Sequence, residues 1–225
     1  MTPSKPINND RLNSVLFDLD GTLLDTARDL VNALEIVCAE ENHPAPDATL
    51  ASRHVSNGAI GLVRVAFPDL DAARQEILRQ RLVTVYEENI CVHTVPYPGI
   101  PALLDELDAR GIRWGVVTNK LRYLAEPILA QLDLLERCAT LVGGDTATHN
   151  KPHPAPIHHA LREAGMEAAS AVYVGDAEKD VLAGRAAGTR TVAVTWGYII
   201  PGQNPHDWGA DYTIAAPTEF LPLLT

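Results

Sequence analysis

Short apolar runs alternate with longer segments of helical periodicity along most of the 225-residue chain. Runs at 14–17, 114–118, 140–142, 171–174, 191–195 and 212–214 predict strands. Each is short, nearly continuous in apolar residues and bounded by polar or glycine-containing turns. Such runs suit strands covered by helices on both faces. Helical patterns near 99–110, 121–132, 155–165 and 178–187 lie between them. This alternation predicts parallel βαβ units, hence an α/β fold with a doubly wound, Rossmann-like parallel sheet.

One region breaks the alternation. Between about residues 26 and 93 the pattern is helical: 27–41, with Leu30, Ala33, Leu34, Val37 and Cys38 on one face; 49–66; and 71–91, with Ile77, Leu78, Leu82, Val85 and Tyr86. A helical cap is therefore predicted as an insert, residues 27–94, in a discontinuous core made of 12–26 and 95–225. Residues 95–99, VPYPG, read as the return hinge, because two prolines and a glycine stop helix and redirect the chain. Residues 1–11 are polar and read as a flexible tail.

Bulk properties narrow the function classes. Apolar residues make up 46% and charged residues 21% of the chain, and the net charge is −11. No basic run marks a nucleic-acid face, and no apolar stretch approaches the roughly 18 residues of a membrane span. The three cysteines, Cys38, Cys91 and Cys138, have no CxxC spacing and are odd in number. They read as reduced core thiols of a cytoplasmic protein. An acidic surface also repels anionic substrates, so an anionic substrate needs a local cation.

The candidate chemistry sits where strands end. VLFDLDGTLLD, residues 15–25, carries Asp18 and Asp20 directly after the first strand. The second strand ends in Thr118-Asn119, the fourth in Gly175-Asp176, with Asp180 four residues on. Lys151 lies on the loop before the fourth strand. If the strands are parallel, all of these converge on one rim, where open α/β sheets bind ligands. Asp18 and Asp20 are i and i+2 in extended chain; Asp176 and Asp180 are i and i+4 at a helix start. Crowded carboxylates raise one another's pKa. A hard divalent cation relieves this, and Mg²⁺ with its preference for oxygen fits. The His-rich segment 149–159 is open to two readings, a zinc site or a solvated loop and helix start. Asp25 reads as part of a helix start.

FDLDGTLLD, VVTN, the lysine of KPHPAP and GDAEKD together resemble, in order, the four motifs of the haloacid dehalogenase superfamily. The insert resembles the cap of its phosphoglycolate phosphatase-like branch. The resemblance implies a Mg²⁺-dependent phosphatase in which Asp18 is the nucleophile that becomes an aspartyl-phosphate and Asp20 the acid and base. It implies that Thr118 and Asn119 bind the phosphoryl group and that Lys151 balances charge. Mg²⁺ would be held by Asp18, Asp176 and the backbone carbonyl of Asp20, with Asp180 supporting its waters or Lys151. Gly21 and Thr22 would let the chain turn under the phosphate and offer backbone N–H groups. Within the cap, RHVSNGA, residues 53–59, is the expected substrate-facing segment, with Ser56 and Asn57 as its hydrogen-bonders, or else a plain turn between helices. Arg64 is compatible with either the cleft or solvent.

The implied partner is a small phosphorylated metabolite, with no nucleic acid and no membrane; monomer and homodimer both fit. SNGAIGLVRVAF resembles the cap of phosphoglycolate phosphatases, and 2-phosphoglycolate is the expected substrate. WGVVTNK, AEPI and GYIIPGQNPHDWGAD resemble N-acetylmuramic acid 6-phosphate phosphatases, which makes that ester the alternative. A phosphosugar mutase of the same branch is a further one. A phosphonate hydrolase would need a cap lysine, and residues 26–95 contain none. A receiver-type phospho-switch shares the phosphorylated Asp, Mg²⁺, Thr and Lys, but lacks a second Asp two residues on and a large cap.

Overall fold

A computed structural model describes residues 12–224. The tail assigned to 1–11 lies outside the described residues. In chain order the elements are β1 (Ser14–Phe17), β2 (Leu24–Asp25), α1 (Ala27–Glu40), α2 (Ala48–Ser52), α3 (Gly58–Ala66), α4 (Ala72–Glu88), β3 (Val95–Pro96), α5 (Ile100–Ala109), β4 (Arg113–Val117), α6 (Arg122–Gln131), β5 (Leu141–Val142), α7 (Ala155–Glu163), β6 (Ala171–Gly175), α8 (Glu178–Ala186), β7 (Arg190–Val194) and β8 (Tyr212–Ile214).

Six strands form one sheet in the order β5-β4-β1-β6-β7-β8, every pair parallel. Its strands match the six apolar runs to within a residue. β1 lies at the centre, and its four residues are fully buried because helices cover both faces. Phe17 pairs with Val116 on one side and Val174 on the other. That register brings the residues after β1, β4 and β6 to one rim. Backbone bonds extend the ladder into it: Asp18 N–H donates to Val174 O at 2.9 Å and Thr118 N–H to Val142 O at 2.9 Å.

The four helices between β2 and β3 pack on one another through apolar stripes. Leu34, Val37 and Cys38 of α1 and Leu78, Leu82, Val85 and Tyr86 of α4 are buried, as is Leu62 of α3. Asp47 and Asp71 cap α2 and α4 by accepting from Leu50 N–H and Arg74 N–H. Ile77 departs from the expected face, with 53% of its surface exposed. On α4 the buried set recurs at i, i+4, i+7 and i+8 from Leu78, and one residue earlier the helix has turned about 100° away. The expected 49–66 helix is broken by a 3₁₀ turn at Val55–Asn57 and by Gly58 at φ +69°. Only glycine adopts that backbone conformation without strain.

The two crossings between cap and sheet form a ribbon absent from the sequence expectation. β2 and β3 pair antiparallel, Leu24 with Pro96 and Asp25 with Val95. Asp29 of α1 anchors it from within. Its buried carboxylate accepts from His93 N–H, Thr94 N–H and the Thr94 hydroxyl, at 2.7–3.1 Å. Removing it strands buried donors, which costs roughly 2 kcal/mol. Asp29→Ala is expected to lower the melting temperature by about 4–8 °C. Asp29→Asn, which keeps one acceptor oxygen, is expected to lose about half of that. Thermal unfolding followed by circular dichroism measures both.

Candidate active site

Four charged side chains meet at the rim, all deeply buried: Asp18, Asp176, Asp180 and Lys151. Carboxylate oxygens of the three aspartates lie within 4.8 Å of one another. The Lys151 ammonium is 2.8 Å from Asp18 Oδ1 and 2.7 Å from Asp180 Oδ1. It also donates to Val117 O at 3.0 Å and to the Tyr173 hydroxyl at 2.8 Å. Tyr173 in turn donates to Val117 O at 2.7 Å. Lys151 is thus far from a surface lysine. Asn119 clamps its backbone, with Oδ1 accepting from Lys151 N–H and Nδ2 donating to Lys151 O, both at 3.0 Å. Asn119 therefore positions the lysine, a use that its place in the sequence did not disclose.

Asp18 Oδ1 also accepts from Leu19 N–H at 2.8 Å. Among the described residues every bond to this carboxylate falls on Oδ1, which leaves Oδ2 with its lone pairs free. Burial pushes the Asp18 carboxyl above its ordinary value, against the pull of Lys151. Burial, with Asp18 and Asp180 adding like charge, pushes Asp176 up to about 7. Burial by itself would discharge Lys151, but the Asp18 and Asp180 carboxylates outweigh it and hold the amine charged.

Glycines make this crowding possible. A Cβ on Gly21, whose φ is +85°, would collide with the Asp176 carboxylate, and one on Gly175 with the Asp180 side chain. The donor set is oxygen only, buried, with three carboxylates facing one ammonium. That composition fits a hard divalent cation such as Mg²⁺ and does not fit zinc. The His-rich segment gathers no comparable cluster among the described residues. His149 and His153 stack on each other instead, with centroids 4.4 Å apart.

Asp20 turns its carboxylate elsewhere. Oδ1 accepts from the Thr26 hydroxyl at 2.6 Å and pairs with the Lys120 ammonium at 2.8 Å. Asp18 and Asp20 nevertheless line one cavity of about 380 Å³ between sheet and cap. Thr118 and Asn119 reach it from the core; Ser56 and Asn57 reach it from the cap. Arg64 faces away, into a separate groove with His54 and Val65.

The cap touches the acidic cluster directly. The Ser56 hydroxyl donates to Asp176 Oδ2 at 3.0 Å, and the Lys179 ammonium donates to the Ser56 carbonyl. Asp176 Oδ2 also accepts from Tyr198 N–H at 2.8 Å, and Oδ1 accepts from the Thr22 hydroxyl. The Tyr198 hydroxyl then accepts from Thr26 N–H and Ala27 N–H and donates to Asp25 Oδ1, at 2.7–2.8 Å. The predicted helix-start role of Asp25 is thus shared with a tyrosine 173 residues away.

The sequence pattern of haloacid dehalogenase-like hydrolases matches residues 15–194, and every residue just placed lies within that span except Tyr198. The chain belongs to the haloacid dehalogenase-like hydrolase family. It is 42% identical over 215 residues to an N-acetylmuramic acid 6-phosphate phosphatase of Pseudomonas putida, covering 95% of this chain and 96% of that one. It is 41% identical over 206 residues to a phosphoglycolate phosphatase of Xanthomonas campestris pv. campestris, covering 92% and 93%. The crystal structure of a predicted phosphoglycolate phosphatase from Haemophilus somnus 129pt superposes with a TM-score of 0.86 at 26% identity, covering 96% and 99%.

Several residues of this hydrolase's site were not legible in the sequence: Tyr86, Lys120, Tyr173, Lys179 and Tyr198. Only Lys120 and Lys179 had a signal, as cations inside motif segments.

The Asp176 carboxyl titrates near 7 folded against 3.8 unfolded. Between those values the folded state binds more protons, so this group's contribution to stability falls as pH rises from about 4 to about 7. In EDTA, Asp176→Asn is expected to melt higher than the unmodified chain above pH 7, by several degrees, with the advantage vanishing toward pH 4. Mg²⁺ at pH 8 is expected to raise the melting temperature of the unmodified chain and not that of the variant.

Proposed function

We propose that this hydrolase is a Mg²⁺-dependent phosphomonoesterase that works through an aspartyl-phosphate on Asp18. The observation that carries the reading is the Asp18 carboxylate: one oxygen is fixed by Lys151, the other is free, Asp176 and Asp180 lie beside it, and Asp18 lines a cavity. Asp18, Asp176 and the backbone carbonyl of Asp20 would hold the ion, and Asp180 would support its waters while holding Lys151. When bound, Mg²⁺ supplies charge neutralisation to an anionic phosphate facing an anionic nucleophile.

The chain's own groups then account for the rest. Asp18 Oδ2 attacks phosphorus; the P–O bond to the leaving group breaks, and Asp20 gives that oxygen a proton. Water next attacks the phosphorus, Asp20 takes its proton, and the bond to Asp18 breaks to release inorganic phosphate. Thr118 and the remaining amide hydrogen of Asn119 serve as donors to the phosphoryl oxygens; the N–H groups of Gly21 and Thr22, expected to join them, are instead taken by Leu24 O and Leu19 O in the tight turn after β1. Lys151 keeps its charge in the buried site and offsets repulsion between nucleophile and phosphate. Residues 27–94 act as the cap, and Ser56 and Asn57 present hydrogen-bonders from it. Such a cover excludes bulk water during the first step.

The substrate we propose is a small acidic phosphorylated metabolite in the cytoplasm. Three free cysteines suit that compartment, and no described helix is long and apolar enough to cross a membrane. The cap motif favours 2-phosphoglycolate. A second reading, N-acetylmuramate 6-phosphate, is favoured by the cavity. Its volume of about 380 Å³ is far more than a two-carbon acid fills. A four-helix cap over the rim argues against a receiver-type switch, and steady phosphate release would separate a phosphatase from a mutase.

Asp18→Asn is expected to abolish turnover of 4-nitrophenyl phosphate with the melting temperature retained; persisting activity would remove Asp18 as nucleophile. EDTA is expected to stop the native enzyme and Mg²⁺ to restart it. Recovery with Zn²⁺ alone would refute the magnesium assignment. Competition among 2-phosphoglycolate, N-acetylmuramate 6-phosphate and hexose phosphates, scored by kcat/KM, selects the substrate.

A further inference from the structure

Lys120 is a buried cation that the catalytic scheme above leaves without a task. Its side chain is 6% exposed, and its ammonium meets Asp20 Oδ1 at 2.8 Å. The Asp20 carboxylate holds the amine above its ordinary pKa in spite of burial. On its other side lies the ring of Tyr86, a cap residue, with the ammonium 4.6 Å from the ring centroid. Asp20 Oδ1 accepts a hydrogen bond from this ammonium, and the Tyr86 hydroxyl is its second polar neighbour. An ammonium has three donors, so this one retains an unfilled hydrogen on the cavity wall. The neighbouring Tyr86 hydroxyl is buried, and the Lys120 ammonium is the polar group beside it. A buried ammonium with a hydrogen left over is costly in a folded protein unless a ligand completes it.

The place of this wall says which part of a ligand would do so. Asp20 stands where the leaving oxygen is protonated, and Lys120 is one hydrogen bond further from the phosphorus. An acceptor within reach of Lys120 is therefore two or three bonds from the ester oxygen. Beyond it the cavity is lined by Leu30, Val55, Ile60, Leu82 and Leu124, which suits the carbon face of a ring.

We infer that Lys120, backed by the Tyr86 ring, reads the leaving group, and that the substrate is a phosphorylated sugar or hydroxy acid bearing an oxygen acceptor two or three bonds from its ester oxygen. This rests on the phosphomonoesterase reading and adds a specificity residue to it. The geometry makes Lys120 a contact of the acceptor and not of the phosphoryl group.

Two matched pairs of esters test it: 2-phosphoglycolate against ethyl phosphate, and N-acetylmuramate 6-phosphate against cyclohexylmethyl phosphate. Within a pair the size is similar and the nearby oxygens are present or absent. The native enzyme with Mg²⁺ is expected to favour the oxygen-bearing member of at least one pair by about tenfold or more in kcat/KM, the scale of one charge-assisted hydrogen bond. Lys120→Met is expected to cut that preference about tenfold, chiefly through a higher KM for the oxygen-bearing ester. Equal loss on both members would make Lys120 a support for Asp20 alone and overturn the inference. Turnover of all four esters by the native enzyme without preference would overturn it while leaving the phosphatase standing, whatever the variant does. No turnover of any ester would bring down both.

Discussion

Three carboxylates confined within 4.8 Å around one ammonium are the constraint on which the rest of this structure depends. Taken out of water, Asp18, Asp176 and Asp180 repel one another, and Lys151 offsets part of that charge. Much nearby structure serves to hold the arrangement. Asn119 fixes the Lys151 backbone, Tyr173 and Val117 O fix its ammonium, and Gly21 and Gly175 are small enough to sit against the acids. The same excess of negative charge that weakens the folded state suits the site to a cation. A site balanced internally by a second lysine would be more stable and would have little use for one.

The sheet supplies the positions. Because β1, β4 and β6 are parallel and in register, one rim collects the chain after each of them. This much was legible from apolar runs followed by acids, since strand polarity converts sequence position into place. What the runs did not reveal were partners. The pairing of Lys120 with Asp20 spans 100 residues, and the bond from Tyr198 to Asp25 spans 173. Neither has a local pattern, since side-chain contacts across a fold leave no periodicity. Ile77 shows the converse limit. It is apolar and adjacent to a buried face, yet the helical turn of one residue sends it outward. Asn119 is intermediate: motif order located it, and only geometry showed that both ends of its amide grip Lys151.

Cap and core share more than a hinge. Asp176 Oδ2 accepts from Ser56 of the cap and from the backbone of Tyr198, and the Tyr198 hydroxyl holds the first N–H groups of α1 where the cap begins. One carboxylate is thereby linked to the cap at its tip and, through a single tyrosine, at its base. A cation that drew on Asp176 Oδ2 would compete with the Ser56 hydroxyl for the same lone pairs. A cation there would thus meet the cap through direct contacts, with no relay through the body of the sheet.

Charge over the whole molecule points the same way. A chain of net charge −11 repels an acidic metabolite at a distance, and screening limits that repulsion to about 8 Å at physiological salt. Inside that range the cavity wall carries Arg79, Lys120 and Lys179. Arg79 is already occupied by Glu76 and Lys179 by the Ser56 carbonyl. Lys120 differs in being buried, beside the proposed proton donor, and only partly satisfied. In a site of low dielectric, one such cation outweighs several distant surface acids. Recognition of the leaving group can then reside in a single buried ammonium, while the acidic exterior is left to set solubility.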